Sequence, residues 1–124
     1  MSVHAHYSSA ALVIRMVGQY SPSDVRSAFL GAFPHATASS RGLVFDVTES
    51  DALASRPTQD LRDMAYFLAS HGTRFSGRLA LVAQRALEYG LMRLAGSEAE
   101  HLGMVVHVFR NATDAKAWIV SGGA

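Results

Sequence analysis

Cysteine is absent from this 124-residue chain, which excludes disulfides, thiolate metal sites and thiol nucleophiles together. Lysine is nearly absent as well. Lys116 stands alone against ten arginines scattered from Arg15 to Arg110, and no basic run exists that would track a phosphate backbone. With a formal charge of +1, nucleic acid is not an expected partner. The guanidinium fork suits bidentate oxyanion recognition, but biased codon usage produces the same count and is the simpler reading. Long apolar runs are also missing. Nothing approaches the roughly 18 apolar residues of a membrane span, and MSVHAHYSSAALVIRM places histidines and an arginine where a secretion signal needs an unbroken apolar stretch. Stable membrane insertion is therefore not expected, and a cytoplasmic location is.

The phosphate-cradling patterns GxGxxG and GxxxxGK[ST] do not occur, so the chain lacks the glycines that let backbone amides approach phosphates without a Cβ in the way. GxSxG is absent too, which removes the strained elbow that exposes a serine nucleophile at a strand end. No cofactor is expected.

What is present is an apolar fraction of 49% with 17% charge, enough for a self-sufficient core. The length suits one domain over residues 1–124, because chains near this size bury about two-thirds of their unfolded surface. Residues 3–7 and 12–17 read as a strand hairpin around Ser8-Ser9. Ser21-Pro22 then opens a helix in the order cap, N1 proline, with Asp24 in the first turn, Val25, Ala28, Phe29 and Ala32 at helical spacing, and Pro34 as the stop. Residues 43–47 and 79–83 are short and apolar on both alternating faces, as strands covered on two sides should be. Asp46 interrupts the first of them. Leu61, Met64, Ala65 and Leu68 mark a second helix ending near His71-Gly72, with Ser55 or Thr58 as its cap.

A third helix follows, with Leu87, Leu91, Leu94 and Ala95 as its expected apolar stripe. Gly96 followed by Ser97-x-x-Glu100 reads equally as a stop with a fresh capping box and as an uninterrupted helix to Leu102. Residues 104–109 form the last strand, and Thr113-Asp114 should cap a final helix burying Ala115, Trp118 and Ile119. Strands alternating with helices predict an α/β domain: a mixed, mostly parallel sheet of four to five strands with four helices and an N-terminal hairpin.

Candidate chemistry is sparse. Glu98-x-x-His101 puts a carboxylate and an imidazole on one helix face, half of a di-iron arrangement whose second half is missing, so a solvated face is the expectation. His4 and His6 share one side of a strand as a two-ligand clip would, although polar side chains on an edge strand explain them better. No metal site is expected. His107 should satisfy itself through one hydrogen bond. Asp46, His107 and Arg110 form the most defensible polar set for an enzyme, provided that they lie within direct or one-water contact.

Two stretches read together carry a family resemblance: Glu88-Tyr89-Gly90-Leu91-Met92-Arg93, and Val108-Phe109-Arg110 leading through Asp114-Ala115 to Ala117-Trp118-Ile119. The chain resembles the SpoIIAA-like, STAS-related family, in which a buried strand ending in alanine-valine precedes a tyrosine-glycine-x-x-arginine helix. A phenylalanine-arginine turn and an alanine-x-tryptophan helix close that family's chain. The match covers residues 40–120 and, before them, only the order of elements. It implies a mixed sheet wound by helices and a role as a non-catalytic switch or binding module. STAS anti-sigma factor antagonists carry a phosphorylatable serine in an aspartate-serine-serine-glycine-like turn. Here the strand ends Asp46-Val47-Thr48-Glu49-Ser50 without that glycine, and a longer loop reaches Ser55 and Thr58, the candidate phosphorylation sites. Plain helix capping is the simpler reading of both residues.

The leading expectation is a non-catalytic STAS-like binding or signalling module that meets a regulatory protein partner, with homodimerisation possible. Its surface would gather loop 46–58 with Asp46, Thr48, Ser50, Ser55 and Thr58, the Gln84-Arg85 turn, and the 109–113 turn with Arg110 at the carboxyl ends of the parallel strands. The alternative is a carrier or sensor of a small apolar or amphipathic anion, with Tyr89 and Arg93 lining an apolar pocket beneath the third helix. Gly90 between them would admit either a ligand or a neighbouring strand. A cavity of several hundred cubic ångströms separates the two readings, because small-molecule pockets typically enclose about 300 Å³ or more.

Overall fold

The computed structural model describes residues 3–8, 11–33, 40–50, 52–55 and 58–121. Five strands run β1 (Val3–Ser8), β2 (Ala11–Val17), β3 (Gly42–Glu49), β4 (Arg78–Val82) and β5 (Val105–Phe109), and they lie in the sheet in the order of the chain. β1 pairs antiparallel with β2, whereas β2–β3, β3–β4 and β4–β5 are parallel. The helices α1 (Pro22–Gly31), α2 (Thr58–Ser70) and α3 (Ala86–His101) each cross from one parallel strand to the next. A final helix, α4 (Ala112–Val120), follows β5. The predicted hairpin, the mixed sheet and the four helices are all present. The turn at residues 9–10 and the stop at Pro34 lie outside the described residues.

Alternation in the strands sorts side chains onto two faces. Leu12, Ile14, Met16, Leu43, Phe45, Leu79 and Leu81 join the main core with residues of α1, α2 and α3. Ala11, Val13, Val44, Ala80 and Val82 face the other way and meet Ala115, Trp118 and Ile119 of α4. Residues 43–47 read as apolar on both faces because both faces are covered. In the main core the ring of Phe29, fully buried, has its centroid 5.1 Å from that of Phe33, 5.5 Å from Phe67 and 6.1 Å from Phe75. Edge-on aromatic packing of this kind adds about 0.5–1.5 kcal/mol per pair beyond the area buried.

α1 starts as its sequence predicts. Ser21 Oγ accepts from the Asp24 amide and Asp24 Oδ2 accepts from the Ser21 amide, a reciprocal capping box with Pro22 at N1. One expectation at a helix end is corrected. α4 is capped by Asn111, whose Oδ1 accepts from the Asp114 amide at 2.8 Å, so Thr113-Asp114 lie inside the first turn. α2 begins at Thr58, immediately after residues outside the description, and the side chains of Ser55 and Thr58 are likewise not described.

The expected stripe of α3 is also corrected. Leu87 is 60% exposed and Leu94 45%, while Glu88, Met92, Gly96 and Ala99 are buried. Gly96 explains the rotation, and it also explains why the helix runs unbroken through that position. A Cβ there would lie 3.1 Å from Val106 Cγ1 and 3.6 Å from Leu81 Cδ1, so its lack of a side chain lets helix and sheet approach closely. Gly90, in contrast, faces open space, with no described residue within 4 Å of a Cβ built there.

Candidate functional site

The carboxyl ends of the parallel strands meet on one rim, as the sequence predicts for Thr48, Ser50, Arg85 and Arg110. β3 explains how. Between Arg15↔Asp46 and Val17↔Glu49 the register with β2 slips, β3 holding one residue more than its neighbour. At that irregularity Asp46 Oδ1 accepts from both the Thr48 amide (2.9 Å) and the Thr48 hydroxyl (2.7 Å). Asp46 thus interrupts an apolar strand because its buried carboxylate replaces the ladder bonds that a bulge removes. Just beyond, the Ser50 hydroxyl donates to the Gly18 carbonyl and accepts from the Ala52 amide. Gly18, in the left-handed region at φ 65°, is the residue that turns the chain away from β2.

Arg85 closes the rim from the β4 side. Its Nη2 donates to the Ser50 carbonyl at 2.8 Å and lies 3.1 Å from Glu88 Oε2. Glu88 is only 4% exposed, and this ion pair accounts for a carboxylate buried in the first turn of α3, where the helix dipole also favours negative charge. From the β5 side Arg110 Nη1 donates to the Gln84 carbonyl at 3.1 Å, and its guanidinium lies 4.3 Å from the Tyr89 ring centroid. An open cleft of about 440 Å³ results, lined by Gly18, Thr48, Glu49, Ser50, Gln84 and Arg85. Its polar groups come from the ends of three different strands. Ser55 ends a short 3-10 turn after β3, and Thr58 opens α2.

Tyr89 and Arg93 do not serve the role expected of them in a carrier. Arg93 is exposed and Tyr89 lies beneath Arg110. Neither lines the apolar cavity between α2, α3 and the sheet, which is walled by Leu53, Leu61, Met64, Leu79, Leu81 and Met92 among others. That cavity holds about 50 Å³, far below the roughly 300–1,000 Å³ of ligand pockets.

The remaining candidates separate. Asp46 is in register with Val82, and Val82 with Phe109, so Asp46 and β5 are two strand spacings apart, about 9–10 Å. The side chains of the Asp46–His107–Arg110 set engage other partners: Asp46 accepts from Thr48, Arg110 donates to Gln84, and His107 lies against Trp118. The His107 ring is exposed, and no hydrogen bond links it to another of the described residues. The ring lies tilted 4.9 Å from Trp118 and stacked 6.1 Å from Phe109, centroid to centroid. Glu98 pairs with Arg62 at 3.4 Å, and His101 Nδ1 lies 2.9 Å from the Ser97 carbonyl. His4 and His6 are exposed on β1. No cluster of metal-ligating side chains occurs among the described residues, and none of their helices is long and apolar enough to cross a membrane.

The Gln84-Arg85 turn was expected on this rim, whereas the part played by Glu88 was not foreseen. The signal for Glu88 was its spacing of three from Arg85 at a helix start. Gln84 contributes through its main-chain carbonyl, which no side-chain pattern encodes.

A scan against protein-family models finds no match, and no curated protein matches the chain. Among solved structures the chain is similar to a protein of the DUF3478 family from Shewanella loihica PV-4, described as uncharacterised and as having a SpoIIAA-like fold. The two share 19% identity over 94% of this chain and 91% of that one, with a TM-score of 0.62. The fold of this chain is SpoIIAA-like.

Proposed function

We propose that this chain is a non-catalytic binding or signalling module and that a regulatory protein partner docks on the rim formed by Thr48, Ser50, Gln84, Arg85 and Arg110. The observation that carries this reading is the convergence of loops from separate strands on one open, polar cleft. The charged groups there are already engaged: Asp46 by Thr48, Glu49 by Arg15, Glu88 by Arg85, Arg110 by Gln84 and Tyr89. A catalytic site keeps an acid, base or nucleophile in reach of a reacting atom, whereas engaged charges hold loop shapes and present guanidinium edges. Those edges suit a partner with carboxylates in its docking segment. The small size of the apolar cavity supports this reading over the carrier.

Native mass spectrometry of protein purified from its own source tests it. The expected result is a stoichiometric complex with a second protein, lost in Arg110→Glu while circular dichroism stays unchanged. A chain that instead retains a bound apolar small molecule and no protein overturns the proposal in favour of the carrier.

A further inference from the structure

We propose that β5 is a docking edge for a second copy of this chain, the two β5 strands pairing antiparallel about a two-fold axis at His107 to give one continuous ten-stranded sheet.

The hydrogen-bond alternation on β5 fixes which groups are on offer. The Val105 amide donates to the Gly77 carbonyl at 2.8 Å, and the Ala83 amide donates to the Phe109 carbonyl at 3.0 Å. Residues 105, 107 and 109 therefore turn their backbone groups toward β4, and Val106 and Val108 turn theirs outward, away from the last strand of the sheet. The strand reads VVHVF. It has no charge, proline or bulge, the devices that ordinarily keep an edge from pairing. Val105 is 50% exposed and His107 is exposed as well.

A two-fold contact places the same surface on both copies, so only registers that match outward groups with outward groups are allowed. Centred on His107, Val106 faces Val108 of the second copy, and both pairs exchange two hydrogen bonds. Val105 then faces the second copy's Phe109, and the two His107 residues face each other. A register centred on Val106 would need the Met104 amide, which is already donated to the Ala99 carbonyl at 3.2 Å. One centred on Val108 would need the backbone of Arg110, which lies beyond the end of β5.

The helix above the edge agrees independently. The Cβ position of Gly96 is 3.1 Å from Val106 Cγ1 and 3.9 Å from Val108 Cγ2, which places Gly96 over His107 and therefore beside the proposed axis. The same position is 3.6 Å from Leu81 of β4, so α3 lies slightly inward of the edge. With strands about 4.8 Å apart, two such helices come to the roughly 8–10 Å at which helices pack. Arg93 precedes Gly96 by three residues and Glu100 follows it by four, both exposed on the flank away from α2. Antiparallel helices centred there set each Arg93 across from the other copy's Glu100, a self-complementary pair of opposite charges.

The test combines a cross-link with a charge exchange. His107→Cys introduces the chain's sole thiol, and opposed residues of a non-hydrogen-bonded antiparallel pair lie about 4.5 Å apart at Cα, within disulfide range. Mild oxidation should give a covalent dimer, faster than Thr113→Cys on the rim. In sedimentation velocity the unmodified chain should dimerise reversibly, Arg93→Glu should weaken association about tenfold or more, and Arg93→Glu/Glu100→Arg should restore it. A chain that is monomeric up to its solubility limit, a cross-linking rate no greater than the control's, or a double variant as weak as the single one overturns the proposal. The rim reading survives each of these failures, because its test reads a different partner on a different surface.

Discussion

Gly42 opens β3 facing α4, where a Cβ would meet three carbons of the Ile119 side chain at 2.8 Å. Ile119 is itself fully buried and has no solvent to move into. Gly42→Ala should therefore destabilise the fold by about 1–3 kcal/mol, the usual cost of overpacking a filled core. Ile119→Val alone should cost about 0.5–1.5 kcal/mol. Combined, the two should cost less than their sum, because valine removes one of the three clashing carbons and leaves space into which the others can shift. Urea denaturation of the four proteins measures that coupling directly. Asp46 makes the complementary point. It was legible as an anomaly in an apolar strand, but its purpose was not, since the bulge it stabilises depends on the register of two strands thirty positions apart in sequence.

At the scale of elements, β1 to β5 and α1 were readable because short apolar runs, β-branched residues and a capping box act locally. α3 was not readable in the same way. Its Leu87, Leu91, Leu94 and Ala95 have the correct helical period, but the helix is rotated so that the glycine-bearing side meets β5. Periodicity counts hydrophobic mass, whereas close approach selects the face that lacks it. Leu87→Ala and Leu94→Ala should accordingly change stability by no more than about 0.5 kcal/mol, while Met92→Ala should cost about 2–5 kcal/mol. Thermal melts of the three variants distinguish this orientation from the one that the leucine spacing suggests. The cap of α4 carries a similar contrast. Asn111→Ala should cost about 1 kcal/mol and Thr113→Ala close to nothing, because only Asn111 satisfies an otherwise orphaned amide. The rim was legible as a set of loops, since parallel strands direct their carboxyl ends together, but the main-chain carbonyls of Gly18, Ser50 and Gln84 that tie it together carry no sequence signature.

Over the whole molecule, a strand order identical to the chain order places β2, β3 and β4 inside the sheet and leaves β1 and β5 at its margins. Amide exchange should follow that arrangement, with the slowest protons on β3 and β4, covered on both sides, where exchange requires opening of the whole domain. In dilute protein the outward amides of Val106 and Val108 should exchange far faster than those of Val105 and His107 on the same strand. Residue-resolved hydrogen exchange checks this, and a uniform rate along β5 would contradict the alternation.

Trp118, the chain's lone tryptophan, gives these events an optical readout. Its indole centroid lies 4.5 Å from the Arg78 guanidinium and 4.9 Å from the imidazole of His107 on the exposed margin. Emission from this single chromophore therefore responds both to loss of the fold and to anything that settles on that margin, so unlabelled protein in a fluorimeter can follow the two processes separately.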